Sequence, residues 1–495
     1  MTILRSLSTK SSASDRQNHR GSRWGHRREI AGSLVSLLML GSLFLGCSHP
    51  HPRSNVNVVV ITLDTLRSDV LGAYGSSEEL SPNLDSFARR SFVFEHAASA
   101  IGTTLPSHTT MFTGLYPRHH GVRWNGGHLD RSVAPLAQIL KDDGYTTAAF
   151  VSAVKMFRHG GLNRGFDTYY GEEAGGERHR ILTGKNISAR VLDWLGSSSD
   201  RPFFLWVHFY VMHSPYAVTP YAREQFSKRG YSGPLAEGVS APDFQTLRRT
   251  VSQDPTAPWA LRALYKGELI ALDKDVGAIL ARLGEPDLKD NTFVAIAADH
   301  GQDLGEHGTV GHGFLLWQPV LHVPLILHLP GEGAGHRIAG RVSLVDLMPT
   351  ILGYLHLPGP PHLDGISLVP VLRGSKPPVR IYFGEVRKLE ESRRRHKRHG
   401  RGEKKMHVRG GAQLQGLAAY DGEVKAIWLP HSYQVFDLTR DPGESDSAGD
   451  AVSPAMKSAL LKAIKEFNKE KPLHSGTKPL DPKLRKELKS LGYVE

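Results

Sequence analysis

Asn55 to Leu63 reads NVNVVVITL, an almost unbroken β-branched run with an acid, Asp64, directly behind it. A run without polar alternation predicts a strand buried on both faces. The pattern recurs at Thr292 to Ala298 (TFVAIAA), closed by Asp299-His300-Gly301. Three more strands are predicted at Thr146–Ala153, Phe203–Tyr210 and Val323–Leu329. Between them, apolar residues at helical spacing predict helices over Asn83–Ser91, Val133–Asp143, Ile187–Leu195, Ala263–Leu283 and Leu344–Leu355. Alternation of this kind predicts an α/β fold, a three-layer sandwich with a large, mainly parallel sheet covered on both faces. Such sheets bind ligands beyond the carboxyl ends of their strands, where Asp64 and Asp299 fall.

From about residue 375 the rhythm changes to short strand-like pieces, Val424–Leu429 and Gln434–Leu438, and an amphipathic helix, Pro454–Asn468. This predicts a smaller α+β subdomain. The expected organisation is an N-terminal segment 1–47, a linker 48–54, a catalytic domain 55–374 and a C-terminal subdomain 375–495 carrying a basic insertion, 387–409.

The chain has 495 residues and a formal net charge of +12, a value that suggests nucleic acid until its distribution is considered. Residues 1–30 hold seven basic residues against two acids, and 387–409 hold eleven against three. The body is therefore nearly neutral, which excludes a nucleic-acid footprint on the folded core. The basic insertion reads as a solvated loop or as a contact for anionic lipid or glycan.

The apolar run Ile30–Gly46 spans 17 residues with three Gly and three Ser, short for a membrane span and suited to a secretory signal. It ends in Phe44-Leu45-Gly46-Cys47, which resembles a bacterial lipoprotein cleavage site with Phe in the usual Leu position. Lipidation of Cys47, a plain signal peptide and an uncleaved anchor are the three readings. All place the protein outside the cytoplasm, in a periplasm or cell envelope, and the first and third tether it to a membrane. A single cysteine forms no internal disulfide, so stability there rests on the core.

Ala98 to Gly121 reads ASAIGTTLPSHTTMFTGLYPRHHG. Pro106 suits a first helical turn, which sets Thr104 against the free N–H groups and positive end of a helix, where an oxyanion is stabilised. Alone, Thr103 or Thr104 would read better as a plain N-cap.

Here the chain resembles the sulfatase family of the alkaline phosphatase superfamily, over about residues 55–450. The segments that carry the resemblance are VVVITLDTLRSD, TLPSHTTMFTGLYPRHHGV, VHFYVMHSPY, ADHGQDLGEHGTVGHG, VPLILHLP, SLVDLMPTIL, LDGISLVPVL and FDLTRDPGE, in family order. The resemblance implies an alkaline-phosphatase-like fold and makes Asp64, Asp299 and His300 metal ligands, with the Thr104 hydroxyl in the nucleophile position completing their set. It also implies that Asn125 donates to the substrate oxyanion and that His213 stands on the leaving-group side. His312 falls where many relatives have lysine, as a ligand of the ester oxygens or a proton donor. Two carboxylates and an imidazole at strand ends suit a divalent cation.

The departures are as informative. Sulfatases typically carry Cys or Ser in C-x-P-S-R and convert it to formylglycine, whereas the matching residues here are Thr104-Leu105-Pro106-Ser107-His108. Threonine is not converted, so formylglycine is excluded. Thr65 stands where many sulfatases have a second Asp, and His108 takes the place of the Arg that holds the nucleophile and the sulfate, and with it the expected substrate contact. More nitrogen and less oxygen favours manganese, zinc or iron over calcium. A second metal site on His307 or His312 stays open.

The leading expectation is a metal-dependent hydrolase of sulfuric esters, small or glycan, acting through Thr104. The alternatives are a phosphodiester or phosphonate hydrolase, or a headgroup transferase, using the same threonine. A non-catalytic protein that binds sulfated glycans is a further one.

Overall fold

The computed structural model describes residues 54–152, 154–171, 184–197, 202–239, 244–389, 412–430, 432–446, 452–470, 473–474, 481–483 and 485–486. The proposed signal segment, Cys47 and most of the basic insertion lie outside them. Ser54–Glu495 forms one compact unit.

The predicted β-branched run becomes β1 (Asn57–Leu63), buried at every residue. Its companions are β2 (Phe92–Ala98), β3 (Thr146–Val151), β4 (Thr168–Tyr170), β5 (Phe203–Phe209) and β6 (Thr292–Ala298). A small pair, β7 (Asp303–Leu304) and β8 (Val310–Gly311), precedes β9 (His322–His328) and β10 (His336–Ser343). The main sheet has the order β10-β2-β9-β6-β1-β5-β3-β4. β1 lies between β5 and β6, parallel to both, with Thr62 opposite His208 and Leu63 opposite Phe209 and Ala298.

One strand breaks the parallel pattern. β9 runs antiparallel to β6 and to β2. The chain leaves β6 at the ligand-binding end, builds the 299–321 segment there and returns directly alongside, so no crossover helix is needed. β2 and β10 were not expected, because polar residues interrupt both: β2 contains Glu95-His96 and β10 begins His336-Arg337. The helix expected at Ala263–Leu283 begins earlier, at Ala257, with Pro258 in its first turn.

A second, antiparallel sheet follows the order of the chain: β11 (Tyr382–Leu389), β12 (Ala412–Asp421), β13 (Val424–Leu429) and β14 (Ser432–Asp437). The first three residues of the basic insertion, Arg387 to Leu389, end β11 and pair with β12, and the rest of it falls between the two strands in sequence. The helix Pro454–Lys469 is capped by the Ser453 side chain and lays Leu460, Ile464 and Phe467 on Leu417, Ala419, Ala426 and Val435. Among the described residues no helix is long and apolar enough to cross a membrane.

Candidate active site

The carboxyl ends of the two central strands deliver the acids. Asp64 follows β1 and Asp299 follows β6, and both are fully buried. Ligand atoms of Asp64, Asp299 and His300 lie within 4.8 Å of one another, the only such group of three among the described residues. His300 Nδ1 donates to the Gly301 carbonyl at 3.0 Å, which leaves Nε2 as a lone pair facing Asp299 Oδ2 at 3.4 Å.

Asp299 is clamped through one oxygen. Its Oδ1 accepts from the Thr65 and His300 backbone N–H groups at 3.1 and 2.9 Å. Thr65 makes its bond from a left-handed backbone, φ 57°, costly for a β-branched residue, while its carbonyl accepts from the Tyr265 hydroxyl. Asp299 Oδ2 has no hydrogen-bond partner in the structure. Burial first, then the charge of Asp64, pushes the Asp299 carboxyl up to about 7. Two buried acids with an outward-turned oxygen and an imidazole lone pair are the donor set of a divalent cation, and the residues fit that ion.

Thr104 arrives from a third element, as the first residue of the helix Thr104–Thr113. Thr103 holds the cap position but makes no side-chain cap bond, so neither threonine serves as an N-cap side chain. Thr104 Oγ1 is 3.3 Å from His300 Nε2. Ser107 Oγ and Ser99 Oγ both donate to the Asp299 carbonyl at 2.6 Å, tying the helix to the end of β6. Asn125 Oδ1 accepts from Leu105 N–H at 2.8 Å, which makes its NH₂ the donor end of the amide.

Two further histidines close one side. His213 Nε2 and His312 Nε2 are 3.1 Å apart, and the His312 ring lies 4.4 Å from that of His300. The Tyr210 hydroxyl lies 2.6 Å from His213 Nδ1, and the Gly102 carbonyl 3.0 Å from His312 Nδ1. Burial holds both imidazoles well below the ordinary histidine range, helped for each by a neighbouring imidazole. Phe244 sets its ring edge-on to both, at 6.0 and 5.6 Å.

Comparison with known proteins places the chain in a family. The Sulfatase family model matches residues 56–357. The chain belongs to the sulfatase family. An arylsulfatase from Clostridium perfringens is 23% identical over 452 residues, covering 78% of this chain and 89% of that one. N-sulphoglucosamine sulphohydrolase from Homo sapiens is 29% identical over 361 residues, 67% and 68% of the two chains. Among solved structures, a complex with D-glucosamine-2-N,6-O-disulfate superposes with TM-score 0.65 at 17% identity, covering 84% of this chain and 98% of that one. Phosphonate monoester hydrolase of Agrobacterium radiobacter gives TM-score 0.63 at 22% identity, covering 83% and 95%. The chain is thus a sulfatase-like hydrolase with the alkaline-phosphatase-like fold.

In this member of the sulfatase family, the expected substrate contact of His108 is corrected. Its ring is fully buried, its Nδ1 donates to the Thr104 carbonyl at 2.8 Å, and its Nε2 accepts from Thr62 Oγ1 at 3.0 Å. With both ring nitrogens engaged inside the protein, His108 has none left for a substrate and instead braces the backbone of Thr104. His307 also turns away, bonded to Asp303 Oδ2 at 2.6 Å and to the Gly443 carbonyl at 3.0 Å. The reading from sequence overlooked His208, buried on β5 with Nε2 3.6 Å from Asp64 Oδ2. The available signal was a single histidine inside an otherwise apolar strand, opposite Thr62 and so two residues in register from the acid.

Proposed function

We propose that this sulfatase-family protein hydrolyses sulfuric esters with Thr104 as nucleophile in place of formylglycine. The observation that carries the reading is the Thr104 hydroxyl at a helix N-terminus, 3.3 Å from His300 Nε2 in the buried two-carboxylate cluster. Asp64, Asp299, His300 and Thr104 would hold one divalent ion, with manganese, zinc or iron preferred over calcium. When bound, that ion supplies positive charge that lowers the hydroxyl pKa and offsets the charge of the ester.

The chain's own groups do the rest. The Thr104 oxygen attacks sulfur in line, and the bond to the alcohol oxygen breaks with its electron pair leaving on that oxygen. The Asn125 amide and the helix N-terminus stabilise the negative oxygens around sulfur. The Thr104 proton ends on the alcohol, carried by the His213–His312 pair, which burial keeps neutral and therefore able to accept it. Water then attacks the sulfated threonine, and the same pair takes the water proton and returns it to Thr104.

A specific observation favours a second reading. A sulfated threonine lacks the carbonyl-forming route by which formylglycine expels sulfate, and a phosphodiester or phosphonate carries the same single charge as a sulfate monoester. Thr104 therefore equally suits a phosphodiester or phosphonate hydrolase or a headgroup transferase. Turnover of an aryl sulfate, a bis-aryl phosphate and an aryl phosphonate by the wild type and Thr104→Ala decides between them. Sulfate cleavage lost in the variant supports the first reading, and phosphorus-ester cleavage lost in it supports the second. Activity surviving the substitution overturns both, and glycan binding without any cleavage would point to a non-catalytic binder.

The basic-then-apolar N-terminus ending in Cys47 supports export and lipid attachment at a cell envelope, with a small or glycan ester as substrate. Labelled-palmitate incorporation lost in Cys47→Ser tests the attachment.

A further inference from the structure

Resting on the reading that Asp64, Asp299 and His300 hold a divalent ion, we propose that His208 is an additional side-chain ligand of that ion, bound beside Asp64. Its surroundings single it out. His108, His213, His300 and His312 each place a ring nitrogen within hydrogen-bond distance of a backbone carbonyl. His208 is fully buried, yet neither of its ring nitrogens has a hydrogen-bond partner in the structure. Buried polar atoms in native cores are ordinarily paired, so an imidazole left in this state is open to a ligand such as the ion.

The surroundings also limit what that is. His108, Phe157 and Trp206 pack on the ring at centroid distances of 4.9, 5.0 and 6.4 Å, and both nitrogens of His108 are already engaged. The carboxylate it approaches is Asp64, with Nε2 3.6 Å from Oδ2. Two donors that each bind one ion at about 2.1 Å lie about 3.0–3.5 Å apart, so a small side-chain adjustment brings this pair onto a common ion. The backbone cannot withdraw the imidazole, since His208 is paired with Thr62 in the centre of the sheet and the next residue, Phe209, accepts from Asp64 N–H at 2.9 Å.

The donor count supplies the reason. At position 65, where many sulfatases have a carboxylate, this chain has a threonine whose buried Oγ1 makes no hydrogen bond in the structure. His208 approaches the Asp64 side of this cluster from the neighbouring strand, and on the ion it would replace the missing oxygen donor with a nitrogen. Two imidazoles and two carboxylates favour zinc or iron, still admit manganese, and discriminate against calcium.

The test counts imidazole nitrogens on the ion rather than turnover. The full chain is loaded with Mn²⁺ and examined by pulsed EPR for ¹⁴N couplings, alongside His208→Ala, His208→Gln and His300→Ala, and Zn²⁺ and Ca²⁺ affinities are measured by competition. The expected result is two coordinated imidazoles in the wild type and one in each variant. Zn²⁺ affinity should fall about 10–100-fold on losing His208, with Ca²⁺ affinity little changed. A single imidazole in the wild type overturns the proposal without recourse to any variant, and so does a His208→Ala spectrum identical to wild type. In either case an ion still lost in Asp299→Asn leaves the metal-site reading standing. If the wild type binds no divalent ion, that reading falls and this inference falls with it.

Discussion

Thr104 Oγ1 and His300 Nε2 stand 3.3 Å apart although 196 residues separate them in the chain. One is the first residue of a helix and the other follows the end of β6, so the contact exists only once helix and sheet have docked. Ser107 and Ser99 hold that docking by donating to the carbonyl of Asp299, the residue before His300.

Removing the Thr104 hydroxyl should therefore remove chemistry and leave the fold. Thr104→Ala is expected to lower kcat by at least about 10³-fold, with melting temperature near wild type. Thr104→Ser should retain measurable turnover. Steady-state kinetics beside thermal melting check this, and a Thr104→Ala enzyme of near-normal kcat would contradict the assignment.

The ion-free protein should lose stability as pH rises. Burial, then Asp64, raises the folded-state pKa of Asp299 to about 7, so between about 4 and about 7 the folded state binds the extra proton. Stability contributed by that proton is complete below the unfolded value and is lost as pH climbs through the folded one, at up to about 1.4 kcal/mol per pH unit. Denaturant melts of chelated protein across this window should show the decline. Asp299→Asn should flatten it, and adding the divalent ion to wild type should reverse it.

The His213–His312 pair should matter in proportion to how badly the leaving group needs a proton. His213→Ala and His312→Ala are expected to cost about 10²–10⁴-fold in kcat/KM on alkyl esters and much less on a nitrophenyl ester. A leaving-group series measured on both variants checks the slope. Equal losses across the series would assign the pair to packing.

Lys425 and Glu444 form a fully buried ion pair at 2.6 Å, and the same two side chains hold the backbone at Leu316 and Gln318, just past His312. Lys425→Met should destabilise by about 3–5 kcal/mol, because it leaves the Glu444 carboxylate buried without its cation. The double variant Lys425→Met/Glu444→Gln should recover part of that loss. Chemical denaturation of the single and double variants measures it.

Much of this protein was legible along the chain. The β-branched runs ending at Asp64 and Asp299 specify central strands whether or not the rest of the sheet is known, since seven consecutive buried residues tolerate no solvent-facing side. The segments around Thr104, His213 and His300 likewise carried the family, and with it the expected ligands.

Other features were decided only by tertiary structure. The polar residues in β2 and β10 obscure strands that their neighbours in the sheet impose. His108 looked like a substrate contact by position, but the helix turns its ring onto Thr62 and its own Thr104 carbonyl. His208 looked like one of 26 histidines until register set it against Asp64. Local pattern reports which face of an element is apolar, whereas a site is a set of distances between elements, and those are set by how strands order and helices dock.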